Sequence, residues 1–206
     1  MHQTRSQVNK KIPIQRKGTK YVVRPLSHLD NSVPVAVAVR DMLKLAKTLK
    51  EVKYMIQNKL LKINGREVKD YRESIKLMNI FEADKIYFLS LTPNGKFQFK
   101  ETKEKTRYCK VLNKTLLKGK NVQLNLHDGS NIITKDKINT HDTLVLDEKN
   151  KLSKHIPMEK GKICFIISGK YLGKHGKIEL VNDKVEVKLE GRDDKIKLEK
   201  RSVLAL

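Results

Sequence analysis

The sequence predicts an α+β chain made of several small modules: an extended basic arm, a helix–hairpin unit and two small β modules. Three observations carry this. Apolar residues make up 38% of the 206 positions and come in short blocks, enough for small cores but not for one thick core. Helical spacing appears only between Val35 and Asn58, and an Asn-Gly turn follows closely. Beyond Pro93 the chain reads as short alternating runs cut by Gly, Asn and Asp.

The arm spans residues 1–36. No acid precedes Asp30, whereas Arg5, Lys10, Lys11, Arg16, Lys17, Lys20 and Arg24 all do. Pro13 and Pro25 interrupt this stretch and no helical period runs through it, so it reads as extended. Such a segment orders when laid along phosphates and gains by releasing counterions, although it also suits a solubilising tail. The helix–hairpin unit spans 37–92. Val39, Met42, Leu43 and Ala46 share one helical face. Thr48 opens a second helix, with Glu51 three residues later completing a capping box. Leu49, Val52, Met55 and Ile56 form its apolar stripe, while Lys50, Lys53 and Gln57 gather on another edge. Asn58 suits a left-handed cap. Leu61 and Ile63 alternate with Lys62, Asn64-Gly65 supplies a tight turn, Val68 resumes, and Lys85 to Leu91 reads as a strand.

The third part, 93–157, starts with the hairpin signal TPNGKFQF and continues through Val111-Leu112, Val122 to Leu126, Asn131 to Ile133 and Leu144 to Leu146. Strands at this spacing predict a small β-barrel. The fourth, 158–206, alternates Ile163, Phe165 and Ile167. Gly169, Gly173 and Gly176 then punctuate a loop bearing Lys170, Lys174, His175 and Lys177. Val185, Val187, Ile196 and Leu198 supply further strands.

Charge narrows the function. Lys and Arg number 45 against 23 Asp and Glu, a net +22. Between Met42 and Lys69, eight basic residues face only Glu51 and Glu67. An excess of one sign calls for a polyanion, because a biased genome or a hot habitat enriches both signs. Nucleic acid fits best, since membrane adsorption asks for an amphipathic helix with large apolar anchors and neither end supplies one. No apolar run approaches the ~20 residues of a membrane span. Met1 to Arg24 lacks the apolar core of a signal peptide. Cys109 and Cys164 make neither a disulfide framework nor a zinc site, which reads as intracellular. Histidines 2, 28, 127, 141, 155 and 175 show no metal spacing. His127-Asp128-Gly129 reads as a turn, because neighbours on a strand end point to opposite faces. There is no phosphate loop and no nucleophile elbow. The expectation is no enzyme, cofactor, metal or small-molecule substrate.

Three stretches carry a family resemblance. VRDMLKLA with TLKEVKYMIQNKLLKINGREVKD resembles the helix–hairpin (α-L type) RNA-binding module of ribosomal proteins, pseudouridine synthases and some tRNA synthetases. GKICFIISGKYLGKHGKI resembles the KOW motif of ribosomal and transcription-elongation proteins, which implies an SH3-like barrel. Between them, CKVLNKTLLKGKNVQLNLHDGSNI resembles the central domain of small-subunit ribosomal protein four of the archaeal and eukaryotic type. IPIQRKGTKYVVRP, and His2 with Arg5 as an H-x-x-R element, are similar to that family's N-terminal region. The aromatic residue expected before the first Ile-Pro is missing, and Asn58 stands where the module commonly has Gly. The C-terminus lacks an extension of the eukaryotic kind, so the resemblance is to archaeal members. An elongation factor with a KOW motif would lack the helix–hairpin, an RNA chaperone would bind only transiently, and a pseudouridine synthase needs an Asp in an Arg-Leu-Asp-like context that is absent here.

The resemblance implies a cytoplasmic ribosome component whose partners are small-subunit ribosomal RNA and neighbouring small-subunit proteins. Lys44, Lys47, Lys50, Lys53, Lys62 and Arg66 are the expected phosphate contacts of the helix–hairpin, lysine acting as a point charge and not as a base reader. Lys170, Lys174, His175 and Lys177 take that role on the glycine loop, and the arm's basic residues in grooves and junctions. Neutralising ~10 phosphates implies a salt slope of about −7 to −9. Tyr21, Tyr54 and Tyr171 suit stacking, and each also suits a place in a core.

Overall fold

The run Val33 to Val39 organises the first of two units into which the chain divides. The structure, a computed structural model, describes residues 2–191 and 195–206. One unit comprises Met1–Thr92 with Lys96–Lys105, the other Pro93–Gly95 with Thr106–Leu206. The chain is mostly β, with few short helices and several antiparallel sheets, so the expected α+β balance shifts toward strand.

Val33, Val35, Ala36, Val37, Ala38 and Val39 are all fully buried. A helix covered on every side has no polar stripe, and this one stays short. Its α-turn, Val35–Val37, passes into a π-turn, Ala38–Met42, where Leu43 N donates to Ala38 O at 2.9 Å. Lys44 then adopts φ +59°, which ends the helix. The single amphipathic face expected from Val39 through Ala46 is therefore cut at Leu43.

The second helix, Leu49–Gln57, follows its sequence signals. Thr48 Oγ1 accepts from Glu51 N at 3.3 Å, and the Glu51 carboxylate reaches back to Lys47 N at 2.8 Å. Val52 is fully buried, with Leu49, Met55 and Ile56 half-buried beside it. At the C-terminus Lys59, not Asn58, takes the left-handed position, at φ +58°. Leu60 N donates to Met55 O and Lys59 N to Ile56 O, both at 3.0 Å, which satisfies two end carbonyls. Asn64 and Gly65, at φ +50° and +77°, turn Lys62–Ile63 into Arg66–Glu67. That hairpin joins Ile80–Glu82, Ile86–Leu91 and Phe97–Glu101 in a five-stranded sheet.

The extended arm is not what the structure shows. His2–Thr4 pairs antiparallel with Tyr21–Val23, and Val8, Ile12 and Val22 are buried. Lys11 O accepts from Phe97 N at 2.8 Å. These apolar residues are too widely spaced to mark a period, yet each finds cover in the same unit. The result is a folded-back loop with lysines on its outside.

The second unit holds two five-stranded antiparallel sheets. The first runs in the order Asn131–Thr134, Val122–Leu126, Arg107–Leu116, Thr143–Leu146, Leu152–Ile156. The other runs Lys195–Glu199, Lys184–Leu189, His175–Val181, Ile163–Ile166, Val203–Ala205. Alternation along Arg107–Leu116 divides its side chains between two cores. Cys109 and Val111 join Leu124, Leu126, Leu144 and Leu146. Tyr108 faces the other way, with Val145 and Ile156, toward Cys164, Ile166, Ile178 and Val203 of the second sheet. Lys110 lies on that second face, fully buried, and its ammonium donates to Lys200 O and Val203 O. Gly176 sits where the strands crowd: a Cβ there would lie 2.5 Å from Val187 Cγ1 and 2.7 Å from Lys188 O.

Burial lowers the Lys110 pKa from 10.5 to about 7. Between those values the unfolded chain holds a proton that the fold does not, so stability rises with pH across this window. Burial raises the Cys164 thiol from 9.0 to about 11 and pushes Cys109 up as well. Above pH 9 these thiols act in the opposite sense, because they ionise only on unfolding. Denaturant midpoints of the full chain are therefore expected to rise from pH 7 to pH 9, and Lys110→Met is expected to remove that rise. A flat wild-type profile contradicts the assignment.

Candidate nucleic-acid interface

The folded-back loop and the π-turn meet along a groove of about 630 Å³, lined by Arg5, Lys17, Arg40, Asp41, Lys44 and Lys47 among others. Each cation is set by local structure. Arg5 opens a 3-10 turn, Arg5–Gln7, closed by Thr4 N donating to Gln7 Oε1 at 3.2 Å. Lys17 rides the loop between the paired strands. Arg40 and Asp41 lie within the π-turn, Lys44 is the left-handed residue after it, and Lys47 precedes the helix cap. The groove's acid, Asp41, is taken up by Arg40 in a two-point contact of 3.0 and 2.8 Å, which raises the Arg40 pKa. Lys17 and Lys44 have no ion-pair partner among the described residues, so the field in the groove is positive.

Arg5 is held inward. Its Nε donates to Thr19 O, Nη1 to Gln15 O and Nη2 to Thr19 Oγ1, each at 2.7 Å. Those bonds shape the loop that carries Lys17. Lys11 is half-buried, its ammonium donating to Asn31 Oδ1 at 2.6 Å, and burial lowers its pKa. Arg16 Nη1 donates to Val8 O at 3.3 Å. Lys20 lies over the Tyr21 ring at 5.3 Å, and Lys10 and Arg24 are exposed.

On the helix–hairpin, Lys50 is exposed and Lys53 stands 5.3 Å above the Tyr71 ring. Lys62 is half-buried in its strand. Arg66 pairs with Glu73, a nearly buried carboxylate that also accepts from Lys69 N at 2.7 Å and Asp70 N at 3.2 Å. One nitrogen of that guanidinium holds a loop, and the side chain is otherwise 65% exposed. In the second unit Lys170 and Lys174 flank the Tyr171 ring at 5.9 and 5.8 Å, His175 packs on Phe165 with ring centres 5.0 Å apart, and Lys177 is exposed opposite Ile163. The structure thus gathers Arg5, Lys17, Lys44 and Lys47 in one groove and Lys170 with Lys174 around one ring. Sequence reasoning passed over Arg40 and Tyr71, whose neighbours become visible only once the π-turn and the Asp70–Glu73 loop have formed.

No group of three or more His, Cys, Asp or Glu among the described residues stands close enough to hold a metal ion. No helix among them is long and apolar enough to cross a membrane.

The class these features define is a mostly-β chain with a positively charged surface groove whose local acid is already paired. Comparison with known proteins makes this specific. Residues 83–153 match the model of ribosomal family S4e. The chain is 33% identical over 188 residues to the small ribosomal subunit protein eS4 of Methanococcus maripaludis, covering 83% of this chain and 77% of that one. It is 35% identical over 182 residues to the eS4 protein of Methanocaldococcus jannaschii, covering 80% and 75%. The crystal structure of the 30S ribosomal protein S4e from Thermoplasma acidophilum shares the fold, with a TM-score of 0.73 and 24% identity over 86% of this chain and 95% of that one. The chain belongs to the S4e family of ribosomal proteins.

Arg5→Ala is expected to lower stability by about 1–2 kcal/mol, because a charged donor set leaves two carbonyls and a hydroxyl. Arg5→Lys is expected not to restore it, since an ammonium cannot span three acceptors as a planar fork does. Denaturant titration checks both, and an unchanged Arg5→Ala midpoint contradicts the role.

Proposed function

We propose that this protein is a structural component of the small ribosomal subunit in the cytoplasm, binding small-subunit ribosomal RNA and meeting neighbouring small-subunit proteins. Family membership supports the ribosomal role and a positioning rather than catalytic task. The observation that carries RNA contact is the groove of Lys17, Lys44 and Lys47, which offers three lysines to a phosphate path and whose acid, Asp41, is already neutralised by Arg40. The division into residues 1–36, 37–92, 93–157 and 158–206 then reads as a lysine-bearing loop, an α-L-type module, a barrel-like central module and a KOW/SH3-like module. Lys50, Lys53 and Lys62 extend the phosphate path along the helix and hairpin. Lys170 and Lys174 act from the glycine loop, His175 and Lys177 from the strand that follows it and not from the loop where the sequence put them, and Lys10, Lys20 and Arg24 from the N-terminal loop. Arg5, Lys11, Arg16 and Arg66 take part mainly by holding those surfaces in place. RNA shape, rather than base edges, supplies specificity, since A-form helices hide their edges from side chains.

Gradient sedimentation of a native lysate is expected to place the protein with small subunits at moderate salt. For binding to purified small-subunit RNA, the triple variant Lys17→Ala, Lys44→Ala, Lys47→Ala is expected to flatten the log–log salt slope by about 2–3. Recovery only in light fractions, or an unchanged slope in the variant, contradicts the proposal.

A further inference from the structure

The helix Leu49–Gln57 carries an aromatic ring that the fold does not use. We propose that Tyr54 is a stacking platform for an unpaired RNA nucleobase, seated beside phosphates held by Lys50 and Lys53. The inference rests on the RNA-binding reading above and adds to it a contact with a base.

Tyr54 is 65% exposed. The other tyrosines all have partners. Tyr21 packs on His2 with ring centres 4.3 Å apart, Tyr71 lies under Lys53 and Arg72, and Tyr87 donates its hydroxyl to Asp84 at 2.9 Å. Tyr108 packs against the core of the second unit, and Tyr171 lies between Lys170 and Lys174. Among the described residues, neither a ring nor a cation covers Tyr54. The chain has six tyrosines and no tryptophan, so a free ring on a regular helix is a notable use of one.

Position on the helix indicates what covers it. At ~100° per residue, Tyr54 falls about 140° from Leu49 and so stands away from the apolar stripe of Leu49, Val52 and Ile56. Lys50 and Glu51 are one turn before it, Gln57 and Asn58 one turn after, and all four are exposed. The Glu51 carboxylate is engaged at the helix cap, accepting from Lys47 N and Thr48 Oγ1 at 2.8 Å each. A polar rim surrounds protein interfaces as well, so the choice of partner rests on the neighbouring lysines and on the chain's net +22, which call for a polyanion. A ring flanked by a lysine and two amides, with its nearest acid tied to the helix cap, matches a nucleotide, which brings a flat π-face and a phosphate together. Lys53, placed over Tyr71 on the neighbouring edge, supplies a positioned charge for that phosphate. Base–aromatic stacking tolerates any base, so the platform selects an unstacked nucleotide rather than a sequence.

The test measures full-chain binding to purified small-subunit ribosomal RNA for the wild type, Tyr54→Ala and Tyr54→Phe, with dimethyl sulfate probing of each complex. Tyr54→Ala is expected to weaken binding by about tenfold with the salt slope unchanged, because a stack and not a charge is lost. Tyr54→Phe is expected to bind as the wild type, and at least one unpaired base is expected to gain reactivity only in the Ala complex. Wild-type affinity in Tyr54→Ala, with a steep salt slope retained, overturns the platform and leaves the RNA reading standing. Equal loss in Ala and Phe assigns the hydroxyl instead of the ring and overturns it too. A defect seen only in whole subunits, and not on naked RNA, assigns Tyr54 to a neighbouring protein. Failure of the wild type to bind the RNA at all overturns the underlying reading, and with it this one.

Discussion

With 23 carboxylates against 45 Lys and Arg, the placement of each acid decides what the surface looks like. The fold turns many of them inward or onto its own backbone. Asp128 is nearly buried with Arg107 at 2.7 Å; burial pushes its pKa up, but Arg107 and the Ser130 donors outweigh that and hold it below the ordinary value. Asp142 accepts from Asn139 N and Met158 N, each at 3.1 Å, and meets His155 at 2.7 Å. Glu73 ties Arg66 to its loop, Asp41 occupies Arg40, and Glu51 closes a helix. Asp70, held low mainly by its bonds from Arg72, does the same for the turn before Ser74–Lys76. Carboxylates used this way are engaged and cannot offset the surface lysines, which repel one another.

Local chemistry was legible before the structure, and long-range cover was not. Thr48 with Glu51 and Asn64 with Gly65 announce themselves because their partners lie within four residues. The cap at Lys59 shows the limit: the helix ran one residue further than Asn58 suggested, and a lysine accepts the left-handed conformation there. Lys110 was hidden for a different reason. In the run Cys109-Lys110-Val111, strand alternation puts the lysine on the outside, but the outside of that strand is covered by a second sheet some ninety residues away in sequence. The N-terminal loop hides its fold in the same way, since Val8, Ile12 and Val22 are core residues without a period to betray them.

The candidate interface divides along the same line. The sign and density of charge were readable from composition alone. Which cations are free was not, because Arg5 donates three bonds into its own loop and Arg66, though 65% exposed, pairs with Glu73, while Lys17, Lys44 and Lys50 have no such partner among the described residues. The two guanidiniums, with their several donors, brace loops, and the lysines, with flexible stems and compact charge, keep theirs on the surface. In this reading the arginines set the shape of the surface and the lysines supply its attraction.

Lysine acylation read by mass spectrometry, on the free protein and on isolated small subunits, tests this most directly. The account predicts that Lys17, Lys44, Lys47 and Lys50 react in the free chain and are protected in the particle, with Lys110 unreactive in both. Groove lysines that stay fully reactive inside the assembled subunit would contradict it.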